Sequence, residues 1–432
     1  MLRIGISRTD ITPPVGIPLI GFAGRGPAIG IHDPLYATAM VASDGERSIA
    51  IVSCDLLYVP AALSTAVRQE VQSRTGIPVQ SVAVSCTHTH YGPDTNTEST
   101  RPDVAAYLAD LKYQLAGIVQ EAAEAQQPAR IGVGWGQSDI GVNRRERLPD
   151  GRIILGQNPQ GPIDRALGVC RISDADGKPL GTIANFATHP VSQAGKMRFV
   201  SADYPGQARR VVELLTGAPL LFLQGACGNI NAVRMEDCYE PARSLGTRLG
   251  CEIVRVWETI TPAEAAGVGS AMQTEQLPRY RYGSPAQAEA LVAELTSEVE
   301  RLRAECEDAG ALHWAELRLQ RAQAALASWQ GGPPLEPISA EFQAYRLGDL
   351  AWATAPGEIF NELGRQVKGG SPFPATFFAG YTNGSIGYVP VPEAYPEGGY
   401  EVTHACQVDP EASQILVRTC SKLLAGLWAA KG

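Results

Sequence analysis

The chain has no long hydrophobic run. No apolar stretch reaches the roughly 18 residues that a bilayer-spanning helix needs, so an integral membrane protein built on helices is not expected. It also has no basic block. Lys and Arg number 36 against 45 Asp and Glu, for a net charge of −9 and a pI near 5.3. That balance argues against nucleic acid or an anionic membrane as partner. The opening stretch, MLRIGISRTDITPPVGIPLIGF, lacks a charged leader followed by an apolar core and a small-residue cleavage site. Without such a leader, a cytoplasmic location is expected. The nine cysteines are odd in number and form no Cys-x-x-Cys pair. They read as reduced, mostly buried thiols, and Cys86 as a core residue. Histidine is scarce as well. Of only six, two stand one residue apart in SCTHTHYGP, residues 85 to 93.

What is present is core material. Hydrophobic residues make up 44% of 432, enough for two or three domains or one large α/β domain. Strand-like runs occupy 47–59, 79–88, 130–136, 166–172, 180–188 and 218–225. Helical segments fall between some of them, at 61–75, 103–125, 204–215 and 241–259, and a last one runs from about 410 to 429. Short apolar strands alternating with helices predict an α/β fold, a mixed sheet core flanked by helices.

One segment breaks the alternation. Ser284-Pro285 is a helix start, and Ala288, Leu291, Leu295, Val299, Leu302 and Cys306 follow at steps of three and four. "EDAG" predicts a break at Gly310. A second stripe runs through Leu312, Ala315, Leu319, Ala322, Leu326 and Trp329 before "GGPP" ends it. Residues 280–335 therefore read as a helical hairpin inserted between two α/β portions, for packing, as a lid or as an oligomer contact.

Four places carry polar residues at strand ends, where α/β proteins build sites. His88 and His90, two apart in a strand, would face one cleft. They suit a metal ligand and a proton carrier, or simply a solvated strand end. His189 in NFATHPVS follows an apolar strand and reads alone as a hydrogen-bonded structural histidine. Downstream, Asp203 could orient an imidazole or cap a helix. In LFLQGACGNINAV, Gly225 and Gly228 could aim backbone N–H groups at an oxyanion or make a plain turn, with Asn229 and Asn231 beside them. Glu358 in TAPGEIF and Tyr388 in SIGYVP read alone as a helix-start acid and a half-buried aromatic.

Taken together, these places resemble the neutral (non-lysosomal) ceramidase family in its N-terminal catalytic domain. GISRTDITPP, IHDPLYATAMV, THTHYGP, VNRR, NFATHPVS, SADYPGQA, PGEIF and GYVPVPEAY follow in family order. The resemblance implies a zinc amidohydrolase with His88, His189, Glu358 and Tyr388 as ligands and Asp203 supporting them. It implies that His90 handles protons or substrate beside the metal. It implies too that Arg144 stabilises an oxyanion, with the neighbouring Arg145 one register away. The expected domain spans 1–432.

The sequence departs from the family in two respects. The family's Gly-Asp-Val-Ser-Pro-Asn loop is here Gly228-Asn229-Ile230-Asn231-Ala232-Val233, which excludes a serine nucleophile there and leaves Asn231 as a hydrogen-bond donor. No C-terminal immunoglobulin-like domain is expected. The function implied is zinc-dependent cleavage of an amide in a small N-acyl compound by activated water. Two other readings stay open. One is a zinc esterase or deacetylase on a small polar O-acyl or N-acyl substrate. The other is a metal-binding scaffold without turnover. Oligomeric state is left open.

Overall fold

The apolar runs form strands because their β-branched and aliphatic side chains alternate between two buried faces. In the computed structural model, which describes residues 1–305 and 309–430, they assemble into three principal sheets. The first orders the strands Val82–Cys86, Ser48–Cys54, Tyr36–Ser43, Arg3–Asp10 and Gln127–Pro128. The second orders Leu220–Gln224, Pro179–Phe186, Ala166–Ser173, Arg130–Gln137 and Ala263–Glu264. The third orders Val268–Leu277, Ile338–Leu347, Leu350–Thr354 and Ala375–Ala379.

Alternation along these strands divides the core. In the first sheet, Ile4, Met40, Ile49, Ile51 and Ala83 face inward, against Ile172, Ile183 and Leu223 of the second and Trp352 and Phe377 of the third. The opposite faces meet helices. Val52 and Val84 pack on α1 (Ala61–Thr75) and α2 (Pro102–Glu124). Ala184 and Phe222 pack on α3 (Asp203–Thr216) and α4 (Glu240–Thr259). Ala351 and Ala353 pack on Leu363 and Leu416 in the third layer's helices. The expected α/β class holds, as three sheets sharing one central core with helices outside.

Each principal sheet contains one parallel pair among antiparallel neighbours. These are Ser48–Cys54 with Val82–Cys86, Pro179–Phe186 with Leu220–Gln224, and Leu350–Thr354 with Ala375–Ala379. A parallel pair sends two strand ends out on the same side. The loops that follow these six ends build the candidate site, in accord with the general placement of ligands at carboxyl ends of parallel strands.

The helical hairpin consists of α5 (Pro285–Glu305) and α6 (Ala309–Trp329). Its anchor strands, Val268–Leu277 and Ile338–Leu347, pair antiparallel without a register break. The helices thus extend the tip of one β-hairpin of the third sheet. Ala288, Leu295, Val299, Ala315 and Ala322 are buried as their spacing predicts. Cys306 and the Glu307-Asp308 part of the expected break lie outside the described residues. Gly310 falls within α6, so it is not where the helix ends.

Candidate metal centre

The strand Val82–Cys86 stops before the paired histidines, so strand alternation does not aim them. His88 instead takes a left-handed backbone, φ 67°. That turn brings the two rings together edge to face, with Nε2 of His90 3.3 Å from Nε2 of His88. His189 comes from the loop after Pro179–Phe186, and its Nε2 lies 3.0 Å from Oε2 of Glu358. The same carboxylate oxygen is 3.4 Å from Nε2 of His88. Glu358 and Tyr388 are partners in a two-residue parallel ladder, Glu358–Ile359 with Tyr388–Val389. The Tyr388 hydroxyl accepts from Nη2 of Arg144 at 2.9 Å.

The tautomers follow from the outer partners. Nδ1 of His88 faces the Leu57 carbonyl at 2.8 Å, Nδ1 of His90 the Gly21 carbonyl at 2.9 Å, and Nδ1 of His189 the Cys227 carbonyl at 2.6 Å. A carbonyl only accepts, so each Nδ1 carries a proton, and in the neutral ring Nε2 presents a lone pair. Burial, then the neighbouring imidazoles, pushes the His90 pKa well down; burial, then Arg144, lowers that of His189 to about 4. Both rings are neutral at pH 7.

Two imidazole lone pairs at 3.3 Å with no proton between them repel. A cation resolves that conflict. Bonds of about 2.05 Å to a tetrahedral zinc place ligand atoms about 3.3 Å apart, close to the spacings seen here. The ligand atoms of His88, His90 and His189 all lie within 4.8 Å of one another. The residues present therefore fit a metal ion, and the donor set suits zinc. Tyr388 is buried, and burial pushes its phenol well up, so it is protonated in this arrangement.

Arg144 sits against the cluster. Its Nη1 is 3.4 Å from Nε2 of His189 and donates to Asn231 at 3.1 Å; its Nη2 donates to Tyr388 at 2.9 Å. Glu401 takes Nε of Arg144 at 2.7 Å and Nη1 of Arg145 at 2.9 Å. Arg145 then turns to Glu397 and the Gly398 carbonyl. Thus the structure sets Arg144, not Arg145, beside the histidines.

Three expectations need correction. Asn231 accepts from Arg144 through Oδ1, and its amide nitrogen faces Met235; it steadies the guanidinium instead of donating into the site. Asp203 makes no hydrogen bond to an imidazole. Its carboxylate binds the amide and hydroxyl of Ser192 and the amide of Tyr204, so it pins the loop just after His189 to α3. Backbone carbonyls do the orienting that Asp203 was expected to do. The Gly225 and Gly228 amides donate to Phe186 and Ile359 carbonyls and so are not free for an anion. Gly228 matters for space, because a Cβ there would lie 2.5 Å from the Glu358 carbonyl.

Some contributors escaped the sequence. Tyr381 stacks on His88 at 3.9 Å, and Asp55 ties the 54–57 loop to Arg209 and Thr87. Gly21 lies under the His90 ring. Glu401 had no signal in an unremarkable YEVTH segment. Tyr381 had one, its position directly after an apolar strand.

Comparison with known proteins extends these observations. A sequence model of the family described as neutral/alkaline non-lysosomal ceramidase, N-terminal, matches residues 2–218. That stretch contains His88, His90, Arg144, His189 and Asp203. The neutral ceramidase of Drosophila pseudoobscura pseudoobscura is 28% identical over 244 residues, 49% of this chain and 32% of that protein. Neutral ceramidase A of Dictyostelium discoideum is 29% identical over 226 residues, 48% of this chain and 31% of that protein. The aligned part of the chain thus spans about a third of the length of these relatives. Among solved structures, neutral ceramidase from Pseudomonas aeruginosa aligns with a TM-score of 0.73 at 19% identity, covering 99% of this chain and 74% of that one. A ceramidase complexed with C2 aligns with a TM-score of 0.74 at 19% identity, covering 99% and 75%. At that identity the likeness concerns the fold, and it extends past residue 218 to the segments bearing Asn231, Glu358 and Tyr388.

Proposed function

The chain belongs to the neutral/alkaline non-lysosomal ceramidase family, and from that premise we propose that it is a zinc-dependent hydrolase cleaving the amide bond of a small N-acyl compound. The observation that carries this reading is the convergence of unprotonated donor atoms whose outer nitrogens are all held by backbone carbonyls. His88, His189 and Glu358, with Tyr388 beside them, would hold the ion. Zinc bound there would supply Lewis acidity and a water acidified towards a pKa of about 7.

The chain's own residues supply the rest. His90 is the one partly exposed imidazole of the three, with His88 and His189 buried. It is therefore the one able to pass a proton between the cleft and a leaving amine. Arg144 stays charged, since the Glu401 carboxylate on its Nε opposes the effect of its burial. Its Nη atoms offer N–H donors where a carbonyl oxygen gains charge. Asn231 and Glu401 fix that guanidinium from two sides, so the donor is aimed before substrate arrives.

Elemental analysis and turnover of a panel of N-acyl and O-acyl substrates test this assignment. His88→Ala is expected to lose zinc and activity together; His90→Ala is expected to keep stoichiometric zinc and lose turnover by about 100-fold or more. Full activity and zinc in His88→Ala would sink the reading. A second ligand set, His88, His90 and His189, is favoured by the 3.3 Å spacing of the first two. It predicts zinc loss in His90→Ala. The Arg144–Asn231 pair at the edge of the site favours a short polar acyl substrate, which the same panel separates from a long-chain one. Zinc without turnover of any substrate in the panel would leave a metal-binding scaffold.

A further inference from the structure

Where the hairpin meets the body, a cavity of about 210 Å³ opens well away from the histidines in sequence. Arg279, Tyr280 and Tyr282 line it from the segment entering the hairpin, Gln320 and Arg321 from α6, and Gln407 from the C-terminal part. Among the described residues, no carboxylate lines it.

Its two arginines are unusual in what they lack. Arg279 spends Nε on the Glu336 carbonyl at 2.8 Å and Nη1 on the Gln407 amide oxygen at 3.3 Å, both uncharged acceptors. Arg321 makes no hydrogen bond or ion pair with any described residue; its guanidinium lies over the Trp314 ring, 5.5 Å from its centroid, and interacts with Tyr282. Burial and then Arg279 lower the Arg321 pKa. Two cations held together in a partly buried wall without a counter-charge are an unfavourable arrangement that an anion relieves. The remaining wall combines the Gln320 and Gln407 amides with aromatic and apolar side chains. Tyr280 and Tyr282 lie 4.9 Å apart by ring centroid, and Ala324 and Leu335 close the other side. Guanidinium forks recognise a planar carboxylate in two-point fashion, and the rings accept a flat or aliphatic body.

We propose that this cavity binds a small organic carboxylate, with the carboxylate bridging Arg321 on the hairpin to Arg279 on the body. The hairpin is already tied at its base. Arg281 stacks on Trp329 at 3.5 Å, and the Trp329 indole donates to the Arg281 carbonyl at 2.9 Å. A bridging anion adds a second tie further along α6 and fixes the angle of the hairpin on the body. The site stands whether or not the histidine centre is catalytic.

Isothermal titration of the full chain with benzoate, at constant ionic strength, tests it. A metal centre also takes carboxylates, so the titration is repeated on chelated protein and on Arg321→Gln and Arg279→Gln. One benzoate per chain is expected, retained after chelation and weakened at least tenfold in each Gln variant, while Arg321→Gln leaves turnover of the substrate panel unchanged. Absence of binding, binding lost on chelation, or unchanged affinity in both Gln variants overturns the proposal. Inorganic phosphate forms the second arm. Binding as tight as benzoate's would overturn the carboxylate assignment and mark a site for any oxyanion.

Discussion

At the scale of single residues, the centre depends on small features more than on the ligands' identities. A histidine ring is useful here only if its Nδ1 is occupied, and the Leu57, Gly21 and Cys227 carbonyls do that. Gly21 shows how little room there is. Its φ is +108°, and a Cβ would sit 2.8 Å from the His90 ring. Gly21→Ala is expected to cost about 1–3 kcal/mol through backbone strain and overpacking. Because His90 would shift while His88, His189 and Glu358 would not, turnover should fall at least tenfold with zinc content unchanged. Denaturant melts, elemental analysis and kinetics on the purified variant check each part; unaltered kinetics would show that His90 does not need its present position.

At the scale of elements, the site joins segments that are short and irregular. The strand Gly141–Arg147 carries Arg144 and Arg145, and the four-residue helix Tyr400–Thr403 carries Glu401, which grips both. Burial would raise the Glu401 pKa, but Arg144 and then Arg145 outweigh it and hold the carboxyl below its usual 4.5. The unfolded chain therefore takes up this proton first as pH falls. The stability it contributes is complete above about pH 4.5 and is lost as pH drops through the lower folded value. Glu401→Gln is expected to destabilise the protein by about 3 kcal/mol, since two buried guanidinium groups lose their shared counter-charge. It should also flatten the decline in stability below pH 4.5. Urea midpoints between pH 3 and 7 for both proteins measure this, and parallel curves would refute it.

The same scale shows how legible the sequence was. Helix 61–75 was readable to the residue, because an apolar stripe, a preceding Pro and a following Gly76 in a left-handed conformation bound it. The turn that aims His88 and His90 was not readable. Its left-handed residue is a histidine, with none of the glycine that normally signals one. The two-stranded ladder joining Glu358 to Tyr388 was equally hidden, since two residues per strand leave no periodicity to detect.

At the scale of the whole molecule, the proposed ligands His88, His189 and Glu358 follow strands of three different sheets. An ion held by them ties together parts that otherwise share only the central core. Chelation is therefore expected to lower the melting temperature, and restoring zinc at 100 times its dissociation constant to recover about 2.7 kcal/mol. Differential scanning calorimetry with and without chelator measures it; a melting temperature indifferent to zinc would contradict a centre made from these residues. Sequence alone determined the α/β class, the main helices, the hairpin and the residue types gathered at strand ends, because periodicity and strand-end chemistry are local properties. The resemblance carried by the short motifs extended that to a ligand set. Only tertiary structure decided that Asn231 serves Arg144, that Asp203 serves the Ser192 loop, and that Arg321 has no acidic partner among the described residues. Those outcomes depend on which distant side chain arrives within 3 Å, and no local pattern in the chain encodes that.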